Sequence, residues 1–130
     1  MIVDTSVLAA VLFDEPETDL FFETLASADT VKISAGSWIE LTTVIARRGR
    51  RDLLSVADRM IVNFAITAAT VTVSQARIGR TAYLQFGKGS GHRAKLNFGD
   101  CFAYALSKET GEPLLFKGDD FVHTDVLRAL

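Results

Sequence analysis

Cysteine is all but absent: Cys101 stands alone among 130 residues. No internal disulfide is possible, and a zinc site built from cysteines is excluded. Proline occurs twice, and no Pro- or Ser-rich linker, low-complexity tract or internal repeat divides the chain. No apolar run reaches the length that spans a bilayer, and the first residues lack the basic start and small-residue cleavage site of a secretory signal. These absences set the expectation of a cytoplasmic protein with no membrane segment. Hydrophobic residues, at 48%, are too abundant for disorder and suffice for one core, so residues 1–130 are expected to form one domain.

Acid is missing from a long internal stretch. The formal net charge is −2, yet no Asp or Glu lies between Arg59 and Gly99, where Arg59, Arg77, Arg80, Lys88, Arg93 and Lys95 are found. A mildly acidic chain thus carries one wholly cationic segment. Such a field suits a polyanionic partner, although solubility alone also accounts for it.

Short apolar runs at Met1–Asp4, Val31–Ala35, Thr70–Ser74 and Pro113–Lys117 read as buried parallel strands. Helical spacing fills the intervals. Trp38, Leu41, Thr42, Ile45 and Ala46 fall on one helical face; Leu53, Ala57, Met60, Ile61 and Phe64 repeat the pattern, as do Gly79, Ala82, Tyr83 and Phe86. Pro16 is placed to open a helix through Phe21, Phe22 and Leu25, and Asn97 to cap one holding Cys101, Phe102, Ala105 and Leu106, which Gly111 ends. The alternation predicts an α/β fold, with a mainly parallel sheet between two helical layers.

Ligands of such sheets bind beyond the carboxyl ends of the strands. Asp4 ends the first predicted strand, Glu40 lies early in the helix after the second, Asp100 follows the Asn97 cap by three residues, and Asp119 and Asp120 follow the last strand. Taken singly, Asp100 and Glu40 can complement helix N-termini, and Asp119 and Asp120 can form a turn with Gly118. Asp4 resists that reading, because it interrupts a buried apolar strand where an unpaired carboxylate is costly. Converging carboxylates raise one another's pKa and need a counter-charge. Lys117 is the only base near that edge, whereas an all-oxygen ligand set selects Mg²⁺ or Mn²⁺. Magnesium with few protein ligands keeps waters that can act as nucleophiles, the physical content of a metal-dependent nuclease site.

Ile2-Val3-Asp4-Thr5-Ser6, Glu40, Asn97-Phe98-Gly99-Asp100-Cys101 and Phe116-Lys117-Gly118-Asp119-Asp120-Phe121 together resemble the PIN-domain ribonucleases, in particular the VapC-like toxins of bacterial toxin–antitoxin pairs. The resemblance spans almost the whole chain. It implies a three-layer α/β/α sandwich on a four- or five-stranded sheet, and a Mg²⁺-dependent endoribonuclease for which Mn²⁺ can substitute. It further implies neutralisation by a cognate antitoxin, a homodimer, and transfer or ribosomal RNA as target. Carried over by residue, Asp4 and Asp100 are the principal metal ligands, with Glu40 and one C-terminal Asp completing the catalytic set. Asp120, before Phe121, matches that position best, although Asp119 leaves the match open. Ser6 matches a hydroxyl that helps hold the site.

Ribonucleases that use the 2′-hydroxyl of the substrate need a positioned acid–base pair, often histidines. Only His92 and His123 occur here, both read as surface residues. Attack by water is therefore expected, leaving 5′-phosphate and 3′-hydroxyl ends. The glycine-rich loop carrying Lys88, Arg93 and Lys95 reads as a phosphate-tracking segment, with Ser6 and Lys117 as further substrate contacts. Arg47-Arg48-Gly49-Arg50-Arg51 reads as a cationic helix C-terminus with a glycine stop, or as a second grip on phosphate. Phe13, Phe21, Phe22 and Leu25 form an apolar set suited to an antitoxin helix or a second copy. Two competing readings are a PIN-like module that only binds RNA and a receiver-like regulatory domain. The second lacks a phospho-accepting Asp at the end of the third strand.

Overall fold

The computed structural model describes residues 1–130. Strands β1 (Ile2–Val3), β2 (Lys32–Ser34), β3 (Thr67–Ala69) and β4 (Leu114–Leu115) form one sheet in the order β3-β2-β1-β4. Every pairing is parallel, with Ile2 opposite Lys32 on one side and Leu114 on the other. Helices α1 (Thr5–Leu12), α2 (Thr18–Ser27), α3 (Ala35–Arg47) and α4 (Leu54–Asn63) precede α5 (Val73–Phe86) and α6 (Asp100–Thr110). None of them is long and apolar enough to cross a membrane.

Alternation along the short strands builds two cores. Val3, Ile33 and Leu115 face α1 to α4, packing with Val7, Leu8, Phe21, Leu25, Leu41, Ile45 and Ile61. Ile2 and Leu114 face the other way, onto Ala82, Phe86, Ala103, Leu106 and Phe121 around α5 and α6. The sheet is thus covered on both sides, as continuous apolar strands require. Helix starts are set by hydroxyl and carboxylate caps: Asp4 for α1, Ser34 for α3 and Thr72 for α5 each accept a bond from a backbone N–H of the first turn. Helix ends use the left-handed backbone at Gly49 (φ 68°) after α3 and Gly111 (φ 69°) after α6.

Several expected elements move. The third strand is Thr67–Ala69 rather than Thr70–Ser74. Its β-branched residues suggested extension, but Thr72 accepts from the Gln75 amide at 3.0 Å and starts α5. Pro16 lies in the turn ahead of α2, which begins at Thr18. The buried face of α3 is Ser37, Leu41 and Ile45, whereas Trp38 and Thr42 face outward. Phe21 and Leu25 belong to the core rather than to an exposed apolar set, and Phe22 alone stays out, edge-on to Phe64. The arginine cluster after α3 is a helix ending: Arg48 lies over the Phe13 ring at 4.1 Å and Arg50 pairs with Asp52 at 2.9 Å.

Candidate active site

In this strand order the chain steps from β1 outward through β2 to β3, then returns to place β4 on the opposite side of β1. The crevice past the carboxyl ends of β1 and β4 is therefore the switch point where α/β sheets take ligands. Asp4 follows β1 directly. Its Oδ2 accepts from the Ser6 backbone N–H at 2.9 Å and from Ser6 Oγ at 2.6 Å. Ser6 Oγ in turn accepts the Lys117 backbone N–H at 3.0 Å, tying the end of β1 to the segment after β4. Asp4 is 4% exposed, and its Oδ1 is enclosed with no hydrogen-bond partner. Burial pushes its carboxyl pKa up, the Ser6 bonds oppose that, and the charge of Asp120 adds to it.

Glu40 reaches the same edge from α3. Thr5 Oγ1 donates to Glu40 Oε2 at 2.9 Å and also lies 3.0 Å from the Ser37 carbonyl. A Cβ on Gly99 would overlap the Glu40 carboxylate, so the missing side chain there is what admits Glu40 beside the start of α6. Burial raises the Glu40 pKa against the Thr5 bond, and the charge of Asp4 raises it further. Asp100 opens α6 in a reciprocal cap: its Oδ2 accepts the Asn97 N–H at 2.7 Å, and its own N–H donates to Asn97 Oδ1 at 2.9 Å. Burial pushes Asp100 up to about 7, opposed by the Asn97 backbone bond and reinforced by the charges of Asp4, Asp120 and Glu40.

Asp120 sits exposed in the turn after β4. The charge of Asp120 acts on Asp4 and Asp100. The four acids Asp4, Glu40, Asp100 and Asp120 are thus brought into mutual electrostatic reach from four separate segments. No Lys or Arg forms a salt bridge with any of them.

Lys117 does not supply the missing charge. Its ammonium is held by Glu15 and, at 2.6 Å, by Glu17, two acids about a hundred residues away in sequence that the expectation of a substrate contact overlooked. Ser6 is likewise committed, donating to Asp4 and accepting from Lys117. The side chains of Lys88, Arg93 and Lys95 are exposed, on a loop stitched back by Lys88 N–H to Leu96 O at 2.8 Å. His92 is not a free surface residue: its ring packs on Phe86 at 4.9 Å and its Nδ1 accepts the Ala94 N–H at 3.1 Å. It is a loop fastener. Thr5 and Gly99 join the site through the fold. A hydroxyl between two candidate residues, and a glycine beside a third, were the only available signals.

The donor set fits a hard divalent cation. An enclosed, unpartnered carboxylate oxygen on Asp4 and a carboxyl at Asp100 whose charge is unfavourable are what a cation would satisfy. No three His, Cys, Asp or Glu side chains gather into a complete cage. A hard divalent cation can be held by one or two protein carboxylates, with water completing its shell.

Comparison with known proteins places this geometry in context. The PIN-domain family model matches residues 1–127. Ribonuclease VapC28 of Mycobacterium tuberculosis is 45% identical over 130 residues, covering 100% of this chain and 98% of that protein. Ribonuclease VapC42 of the same species is 42% identical over 126 residues, covering 97% and 96%. Among solved structures, the crystal structure of M. tuberculosis VapC20, a sarcin–ricin loop cleaving toxin, superposes with a TM-score of 0.75 at 18% identity over 98% of this chain and 97% of that one. A toxin–antitoxin complex from Klebsiella pneumoniae gives 0.68 at 16% identity, covering 95% and 92%. At those identities the two structures speak for the fold.

Proposed function

This chain belongs to the PIN-domain family, and on that premise we propose that it is the toxin of a toxin–antitoxin pair, a Mg²⁺-dependent endoribonuclease in which residues 1–130 form one catalytic domain. The observation that carries the reading is the enclosed, unpartnered Oδ1 of Asp4 at an edge where Asp100, Glu40 and Asp120 supply charge, no salt bridge forms, and Arg47 alone acts on Glu40 through its charge. The VapC ribonucleases at 42–45% identity support the activity, and a toxin–antitoxin complex among its structural neighbours supports an antitoxin protein as partner. The protein acts in the cytoplasm as a homodimer, on transfer or ribosomal RNA.

Asp4 and Asp100 would hold the ion, with Mn²⁺ able to replace Mg²⁺. The chemistry such an ion would supply is positive charge for the phosphodiester and a more acidic water for in-line attack. The chain orients its own groups for that event. Ser6 fixes Asp4 through Oδ2, which leaves Oδ1 without a protein partner, and the Asn97 backbone fixes Asp100. Glu40, raised in pKa and bonded to Thr5 through Oε2, is suited to accept a proton from the attacking water at Oε1. Asp120 strengthens the field that draws the cation in. Attack by this water rather than by the 2′-hydroxyl leaves products with 5′-phosphate and 3′-hydroxyl ends.

The test is cleavage of total RNA by the purified chain with Mg²⁺, then with chelator. Activity disappears on chelation and falls by more than about 100-fold in Asp4→Asn and in Asp100→Asn. Cleavage that persists under chelation, or products ending in 2′,3′-cyclic phosphate, would refute the mechanism. A variant set that binds RNA without ever cutting it would instead favour a non-catalytic RNA-binding module.

A further inference from the structure

Phe98 is the most exposed aromatic residue of the chain, at 76%, and it stands at the rim of the acidic cluster. Asp100 lies two residues on, and Gly99 between them is packed against the Glu40 carboxylate. The ring is nevertheless held. It meets Phe102 edge-on at 5.2 Å, and the Phe102 ring rests on Gly36, where a Cβ would overlap it. A ring this exposed contributes little to the core. Arg80 lines the same groove as the ring, and Arg93 and Lys95 are exposed in the segment that leads to it.

We propose that Phe98 is a stacking platform for an unpaired base of the RNA, next to the phosphodiester presented to Asp4 and Asp100. The inference rests on the nuclease reading above and narrows its substrate. An aromatic face beside exposed cations is the combination that binds single strands, because every base has a π-face to stack while the phosphates meet the Lys and Arg. A base within a duplex would first have to leave its own stack, so the preferred substrate is a loop, bulge or single-stranded stretch. Phe98 also lines, with Tyr83, Leu84 and Arg80, a groove of about 490 Å³ between α5 and α6. A protein seated on that groove is the competing occupant.

The test uses the full chain carrying Asp100→Asn to suppress cleavage. It measures binding of a mixed-sequence single-stranded RNA and of the same strand made abasic. Phe98→Ala weakens binding of the normal strand on the order of tenfold. Phe98→Trp restores it, Phe98→Leu does not, and the abasic strand binds all of these chains alike. In the cleaving chain the same change raises KM more than it lowers kcat. Equal affinity across the three variants overturns the proposal, as does an equal loss on the abasic strand. A shared shift of oligomeric state in Phe98→Leu and Leu84→Ser, with RNA binding intact, assigns the ring to a protein interface and also overturns it. If the parent chain neither binds nor cuts RNA, the nuclease reading itself falls; if the parent cuts RNA and the ring is indifferent, only this inference falls.

Discussion

Asp100 carries the clearest electrostatic signature in the molecule. Its pKa in the folded chain stands at about 7, above the 3.8 of a free aspartate. The folded state therefore holds a proton that the unfolded state has lost across that window, and folding stability falls as pH rises through it. Asn at this position keeps an oxygen for the Asn97 N–H but carries no charge. Asp100→Asn is thus expected to stabilise the metal-free chain by on the order of 2–4 kcal/mol at pH 8, with the gain vanishing near pH 4. Thermal unfolding at both pH values in the presence of chelator checks it; no gain at pH 8 would mean that the carboxylate is not strained. Ser6 works differently, through position. Ser6→Ala leaves Asp4 Oδ2 with the backbone N–H of that position alone and removes the acceptor of the Lys117 N–H. Metal affinity or activity should drop by roughly 10–100-fold, the usual cost of losing a group that orients a ligand.

At the scale of elements, the site depends on how closely α6 approaches α3. Gly99→Ala places a methyl group where the Glu40 carboxylate lies. We expect it to cut kcat sharply while circular dichroism remains unchanged, since Gly99 precedes the helix proper. Asn97→Ala removes one half of the α6 cap and should cost about 1 kcal/mol of stability, visible as a lower denaturation midpoint at unchanged slope. These contacts also mark how far the amino-acid sequence could be read. The acids at strand ends were legible because a carboxylate closing a buried apolar run has few structural uses, and Asp4 ends such a run. The cap on α6 was legible from Asn97 and Asp100 alone, since its partners are three residues apart. Thr67–Ala69 was not legible as the third strand: its side chains are short and largely exposed at the sheet edge, while the Val and Thr residues after it mimic a strand. The fate of Lys117 was hidden for another reason, because Glu15 and Glu17 meet it only through the fold. Asp120 could be separated from Asp119 only once the turn after β4 had a shape.

Seen whole, the molecule brings ends of its chain together around a charge it does not neutralise. The parallel order β3-β2-β1-β4 sets the end of β1, which Asp4 follows, beside β4, whose following turn carries Asp120, and α3 and α6 supply Glu40 and Asp100. A cation binding only the folded chain must then raise its melting temperature by mass action, and the rise should be larger at pH 8 than at pH 5, where protonated Asp100 competes. The claim on which all of this turns is that Asp4 and Asp100 share one divalent ion. Calorimetric titration of Mn²⁺ into the metal-free chain addresses it most directly. The account predicts a saturable site that is abolished in Asp4→Asn and in Asp100→Asn alike; binding that survives unchanged in either variant would contradict it.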